Sequence, residues 1–168
     1  LTGIRPAKIA AELLAQGFDP VSVRRKLRND YFLIPKKAAL LTNIAVNEQN
    51  IIASLAENSC SVYISIPFCP TRCAYCSFVS YSTKRLLSMI PDDITRLVRD
   101  IDDTFAYIRR LGKEVVTVYI GGGTPTTLSA QELDILLSAV ERNVDVHGLL
   151  EYTVEAGRPD TVTMEKMQ

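Results

Sequence analysis

The chain has 168 residues, 47% of them hydrophobic and 23% charged, a composition typical of a globular protein with a buried core. Its 19 basic and 19 acidic residues balance to a net charge of zero, which argues against a dedicated nucleic-acid-binding protein. No signal peptide or long apolar run is present, and the cysteines are of the reduced type. We therefore expect no membrane span and a cytoplasmic location.

The first 57 residues predict a helical unit. Helical patterns cover residues 7–16, 21–28 and 36–55. The second pattern follows Asp19-Pro20, which is typical of a helix cap and a proline at the first helical position. We expect these residues to form a helical N-terminal extension, with a second domain over residues 58–168.

From residue 58 onward, strand patterns alternate with helix patterns. Strands are predicted over residues 61–66, 115–120 and 151–155. Helices are predicted from Pro91 to Leu111, from a capping box of Ser129 and Glu132 to about Asn143, and from Pro159 onward. This order predicts an α/β fold with a parallel sheet and right-handed crossovers. Because three strands cannot close a barrel, we expect a truncated first half of a longer one.

Three motifs follow the three predicted strands. Cys69, Cys73 and Cys76 come after the first strand, the glycines of residues 121–123 after the second, and Glu155 ends the third. In parallel α/β folds, functional groups gather at the carboxyl ends of the strands. We therefore expect the three motifs to share one edge of the sheet.

The spacing of the three cysteines favours an iron–sulfur cluster, which cysteine thiolates hold at short local spacings. With only three cysteines, a four-iron cluster keeps one iron open for a ligand. A zinc site is disfavoured because neither Cys60 nor His147 lies at paired-ligand spacing. Cys60 is expected in the core and His147 in a solvated turn. Disulfides are disfavoured by the expected reducing compartment.

These residues resemble a known family. The spacing CxxxCxxC, with an aromatic residue before the last cysteine, resembles radical S-adenosylmethionine (SAM) enzymes. The string Tyr63-x-x-Ile66-Pro67-Phe68-Cys69, with Gly121-Gly122-Gly123-Thr124-Pro125-Thr126 and Glu155, is similar to oxygen-independent coproporphyrinogen III oxidases (coproporphyrinogen dehydrogenases). The opening Leu1-Thr2-Gly3-Ile4-Arg5-Pro6 resembles the branch with a helical extension. The resemblance implies an incomplete (β/α)6-type partial barrel.

The resemblance also implies a mechanism. Cys69, Cys73 and Cys76 would hold a [4Fe–4S] cluster whose open iron chelates SAM. The cofactor would be contacted by Tyr63, Tyr75, Gly122, Gly123, Thr124 and Glu155. An electron from a donor such as flavodoxin or ferredoxin would cleave SAM to a 5′-deoxyadenosyl radical. That radical would take hydrogen from a propionate of the tetrapyrrole substrate, which would lose CO2 and pass one electron to an acceptor to leave a vinyl group in heme biosynthesis.

One position departs from this pattern. The oxidases carry a further cysteine two residues after the third, where this chain has Phe78. Relatives without that cysteine include heme chaperones that bind heme without oxidase activity, so a chaperone or another radical reaction is the alternative. The residues present are expected to be inactive alone, since half of the barrel is missing.

Several basic residues are weaker candidates. Arg158 is a candidate for binding a substrate carboxylate, and Arg72 for adjusting the potential of the cluster. A basic run on the second predicted helix is more simply a solvated face: Arg24, Arg25, Lys26 and Arg28.

Overall fold

The computed structural model describes residues 5–77 and 80–168 and divides into two units, one ending at Glu57 and one beginning at Asn58. The first unit contains the helices α1 (Ala7–Ala15), α2 (Pro20–Asn29) and α3 (Pro35–Ser54). The Asp19 carboxylate caps α2 by accepting hydrogen bonds from the N–H groups of Val21 and Ser22 at 2.9 and 3.1 Å. The three helices share a small core: Ala10, Val23, Leu27, Leu33, Ala38, Leu41 and Ala45.

The second unit is built on a parallel sheet. In the described residues it has three strands in the order β1 (Ser59–Ile66), β2 (Glu114–Gly122) and β3 (Glu151–Val154). Between them or after them lie α4 (Lys84–Leu87), α5 (Ile90–Arg110), α6 (Ala130–Glu141) and α7 (Met164–Met167). The predicted α/β class with a parallel sheet is confirmed, and this is the arrangement of a partial (β/α) barrel.

The two faces of the sheet differ in polarity. Ile64, Val118 and Ile120 point to one face and share the main core with Phe105 of α5 and Leu136 of α6. The opposite face carries the alternate residues, which are polar or aromatic: Ser61, Tyr63, Thr117, Tyr119, Glu151 and Thr153. The helices therefore cover one face and leave the other for polar groups.

Some boundaries differ from the sequence predictions. β2 does not end at Ile120 but continues to Gly122, because Gly121 and Gly122 pair with Ser65 and Ile66 of β1. The helix predicted from Pro159 is a single 3-10 turn, Pro159–Thr161, followed by the short α7.

Cys60, expected in the core, is half-buried. It lies near the amino end of β1, beside an irregularity in the register between Cys60 and Ser61. His147 is exposed, as expected.

With 20 and 21 residues, α3 and α5 have the length of a membrane-spanning helix. Length alone is not enough, and within the described residues no helix is also apolar enough to cross a membrane.

Candidate functional site

The three sequence motifs lie at one edge of the sheet. β1 and β2 run parallel, so the cysteine loop that follows Ile66 lies beside the end of the glycine run. The N–H of Glu155 donates to the carbonyl of Ile120 at 2.9 Å, which extends the pairing of β3 with β2 by one residue. The strands thus bring together residues that are far apart in the sequence.

The cysteine loop is closed at its base. The N–H of Cys69 donates to the carbonyl of Tyr81 at 3.0 Å, and the N–H of Tyr81 donates to the carbonyl of Pro67 at 2.8 Å. The ring centroids of Phe68 and Tyr81, two residues of this junction, lie 6.0 Å apart. Within the loop, the N–H of Cys76 donates to the carbonyl of Cys73 at 3.0 Å, which forms a turn between the second and third cysteines.

The glycine run packs directly on the first cysteine. A Cβ atom at Gly123 would lie 2.6 Å from the carbonyl oxygen of Phe68 and 3.1 Å from Sγ of Cys69, so only glycine fits there. Gly122 has a φ of +109°, which side-chain-bearing residues rarely adopt. Next to them, the Thr124 hydroxyl lies 3.3 Å from Sγ of Cys69, which is buried.

Arg158 reaches the second cysteine from the loop after β3. Its Nη2 donates to Sγ of Cys73 at 3.0 Å, and its Nη1 donates to the hydroxyl of Thr71. The hydrogen bond from Arg158, followed by one with Tyr75, lowers the pKa of the Cys73 thiol. A lowered pKa favours the thiolate, the form that binds metals.

Glu155 is held by a residue that the sequence analysis did not single out. The hydroxyl of Tyr119 donates to Oε1 of Glu155 at 2.6 Å, and this hydrogen bond, with burial and the nearby negative charge, raises the pKa of Tyr119 to about 12. The ring of Tyr63 stacks on that of Tyr119 at 5.7 Å and 10°. The alternation of side chains along a strand could have identified Tyr119. It places Tyr119, two residues before Gly121, on the face of the sheet that carries Glu155.

All but one of the predicted site residues line one cavity of about 660 Å³. Its wall includes most of them: Cys69, Cys73, Tyr75, Cys76, Gly122, Gly123, Thr124 and Glu155. Tyr63 does not line the cavity, and it lies instead beside Glu155 through its stacking on Tyr119. Gly121 leaves room for the side chains of Tyr119, Tyr63 and Glu155, because a Cβ at this position would lie 2.8–3.0 Å from their atoms.

The residues of the cavity fit an iron–sulfur cluster. The four cysteines form no disulfide, and three of the thiols face the same cavity. Among the described residues, no three Cys, His, Asp or Glu side chains converge on a point that would hold a single metal ion. In a cluster each thiolate binds its own iron, so its ligands stand apart by the size of the cluster. Three soft thiol donors on the wall of one cavity are the ligand chemistry that such a cluster uses.

Arg72 and the basic residues of α2 do not line this cavity. Arg72 is exposed in the cysteine loop, and Phe78 lies outside the described residues. The basic residues of α2 belong to the other unit, where Arg24 and Lys26 have local partners. Arg24 donates to Asn43 at 3.0 Å, and Nζ of Lys26 lies 3.7 Å from the carboxylate of Asp30.

Comparison with known proteins identifies the family. The sequence model described as the radical SAM superfamily matches residues 63–166, more than half of the chain, and the match includes every residue that lines the cavity. The chain belongs to the radical SAM superfamily. No solved structure matches it.

Two kinds of curated proteins are similar to the chain. The oxygen-independent coproporphyrinogen-III oxidase-like protein HemZ of Bacillus subtilis (strain 168) is 36% identical over 170 residues, covering 99% of this chain and 34% of HemZ. The heme chaperone HemW of Escherichia coli (strain K12) is 38% identical over 108 residues, covering 63% of this chain and 27% of HemW. HemW of Lactococcus lactis subsp. lactis (strain IL1403) is 40% identical over 108 residues, 60% of this chain and 24% of that protein.

The chain therefore spans at most 34% of the length of these relatives. Because the HemZ match covers 99% of the chain, it includes the N-terminal helices.

Proposed function

We propose that this radical SAM protein holds a [4Fe–4S] cluster through Cys69, Cys73 and Cys76 and binds SAM in the same cavity. The observation that carries the proposal is that the three thiols, the glycine backbone and Glu155 line one cavity of about 660 Å³. When bound, the cluster and SAM supply one-electron chemistry that produces an organic radical.

The cavity residues would position SAM. Gly122 and Gly123 expose backbone that a ligand can approach closely, and with Thr124 they would line its methionine end. The carboxylate of Glu155, oriented by Tyr119, would accept a hydrogen bond from a polar group of SAM. Tyr75, whose side chain is 90% exposed, would cover the adenine, and Tyr63 would contact SAM from beside Glu155.

The reaction we propose is the anaerobic oxidative decarboxylation of coproporphyrinogen III, which turns some of its propionates into vinyl groups, keeps the others and yields protoporphyrinogen IX. Support comes from the similarity to HemZ, a coproporphyrinogen-III oxidase-like protein by name, across 99% of the chain. A flavodoxin or ferredoxin would deliver the electron. The two units would be a helical extension and the first half of a radical SAM barrel, in a cytoplasmic protein.

Serine substitutions test the cluster in the full-length protein, reconstituted with iron and sulfide without oxygen. C69S, C73S and C76S are each expected to lose bound iron, sulfide and the visible absorption of the cluster, because each removes one thiolate. C60S is the matched control and is expected to keep all three, since Cys60 lies on β1 outside the cavity. Full cluster content in C73S or C76S would contradict the ligand assignment.

The same preparation tests the substrate. Reduced wild-type protein is expected to cleave SAM and to convert coproporphyrinogen III into a product with vinyl groups, detected by mass spectrometry. SAM cleavage without any vinyl product would leave the radical SAM assignment standing and reject this substrate.

A second function is favoured by the HemW relatives, which are heme chaperones by name and reach 38–40% identity in the two proteins described above. In that case the full-length protein would take up heme in a fixed ratio, seen as a Soret band in a titration, and would form no vinyl product. Vinyl product without heme uptake would reject the chaperone function.

A further inference from the structure

Arg158 connects the loop after β3 to the cysteine loop. Its two terminal nitrogens donate to different residues of that loop, Nη2 to Sγ of Cys73 at 3.0 Å and Nη1 to the hydroxyl of Thr71. The side chain is half-buried and lines the cavity. Because the guanidinium is planar and rigid, two contacts from one fork fix its orientation at the sulfur.

The positive charge that Arg158 brings to Sγ of Cys73 is only weakly offset by its acidic neighbour. Asp160 is the acid with the strongest electrostatic effect on Arg158, and it also lines the cavity. Asp160 is exposed, so solvent and salt screen its charge. The contact of Arg158 with Cys73 is a direct hydrogen bond at 3.0 Å.

Resting on the cluster proposed above, we propose that Arg158 is a positioning residue that raises the reduction potential of the cluster by donating a hydrogen bond to Cys73. Reduction by an external one-electron donor adds one negative charge to the cluster. A cation and an N–H donor at a ligand sulfur stabilise this more negative form over the oxidised form. The cluster would then accept an electron at a higher potential than it would without Arg158.

Redox titration of the full-length protein tests this inference. Wild type, R158Q and R158K are reconstituted without oxygen, and the EPR signal of the reduced cluster is followed as dithionite lowers the potential. For R158Q we expect the ratio of reduced to oxidised cluster at the wild-type midpoint to fall about tenfold, or about 59 mV for a one-electron couple. R158K keeps the charge but not the fork, so its shift is expected to be smaller.

R110Q is the matched control. Arg110 is the last residue of α5, exposed, and near the amino end of β2, whereas the cysteine loop lies at the carboxyl ends of the strands. The nine residues of β2 separate the two places by roughly 30 Å. This is several times the screening length of about 10 Å in ordinary buffer, so the R110Q midpoint should equal that of wild type.

The outcomes separate this inference from the proposed function. A wild type that binds no cluster would overturn both. If R158Q binds the cluster and its midpoint potential equals that of wild type, this inference alone is overturned. A lower affinity of that variant for SAM would then mean that Arg158 contacts SAM instead. If R158Q loses its cluster, R158K decides: a lowered midpoint supports the inference, and an unchanged one overturns it.

Discussion

The two walls of the cavity are built in different ways. The wall from β1 and β2 is made by backbone groups, since the N–H groups of Gly123 and Thr124 donate to the carbonyls of Ile66 and Phe68 at 2.7 and 2.8 Å. The wall after β3 is made by side chains: Glu155, which accepts a hydrogen bond from Tyr119 of β2, and Arg158, which donates to Cys73. The first wall fixes where Cys69 lies, whereas the second sets the charges that face the cavity. Substitutions in the first wall should lower the stability of the fold. Substitutions in the second wall should change the affinity for SAM and the reduction potential of the cluster.

The largest effect is expected from G123A in the backbone-built wall. Its Cβ would lie 2.6 Å from the carbonyl oxygen of Phe68, so the strand ends must separate. Overpacking of this kind destabilises proteins by about 1–3 kcal/mol. We expect a lower free energy of unfolding in denaturant titration, together with lower cluster content after reconstitution.

G157A is the control for this substitution. Gly157 lines the same cavity from the β3 side, and an added Cβ there meets no atom within 4 Å. Its unfolding curve should match that of wild type. Equal destabilisation by G157A would mean that the two walls do not differ.

Y119F should have an intermediate effect, on binding alone. It removes the hydroxyl that orients Glu155 and leaves the ring stacked on Tyr63. The affinity for SAM, measured by calorimetry, should fall about two- to tenfold, the range of one ordinary hydrogen bond. Because the pKa of Tyr119 is about 12, the hydroxyl stays protonated and the difference from wild type should persist throughout the neutral range.

Y107F is its control, since Tyr107 is exposed on α5 and outside the cavity. It should bind SAM as wild type does. If Y119F lost stability but kept its affinity for SAM, Tyr119 would support the fold and have no role in binding SAM.

The smallest effect is expected at an ion pair whose two residues do not line the cavity. Asp102 of α5 accepts hydrogen bonds from Arg142 at 2.7 and 3.0 Å. The hydrogen bonds from Arg142 and Asn143 lower the pKa of Asp102 below its usual 3.8. A lowered pKa in the folded state stabilises the fold above about pH 3.8, and this contribution is lost as the pH falls through the folded-state pKa.

D102N should therefore lower the melting temperature slightly at neutral pH, and the gap to wild type should close in acid. The effect is small because the pair is exposed and salt screens it. D92N is the control, since Asp92 pairs with Arg96 on the same helix and links no two elements. A gap for D102N that widens in acid would contradict the sign.

Local patterns predicted the parts of the fold that local interactions decide. The capping box of α6 is one: the Ser129 N–H donates to Glu132 at 2.7 Å, and the Glu132 N–H donates to the Ser129 hydroxyl at 3.2 Å. Alternation of strands and helices predicted the parallel sheet, and a parallel sheet places the motifs at one edge. The roles assigned to the cavity residues stay predictions.

The sequence could not predict contacts that depend on register and loop conformation. Tyr119 meets Glu155 because β2 and β3 pair in one register, and Arg158 meets Cys73 across 85 residues through two irregular loops. The helix expected from Pro159 is a short turn, and the hydroxyl of Thr161 in this turn lies 2.6 Å from that of Thr126 in the loop after β2. Such tertiary contacts override local propensity.

The junction of Tyr81 with Pro67 and Cys69 has a consequence for assembly. Two backbone hydrogen bonds hold the ends of the cysteine loop together in the fold itself. Bringing the ends of a flexible loop together lowers chain entropy, and folding has already met that entropic penalty here. A cluster held as proposed would then bind to a loop whose ends are already joined, so its binding free energy need not offset the entropy of closing that loop.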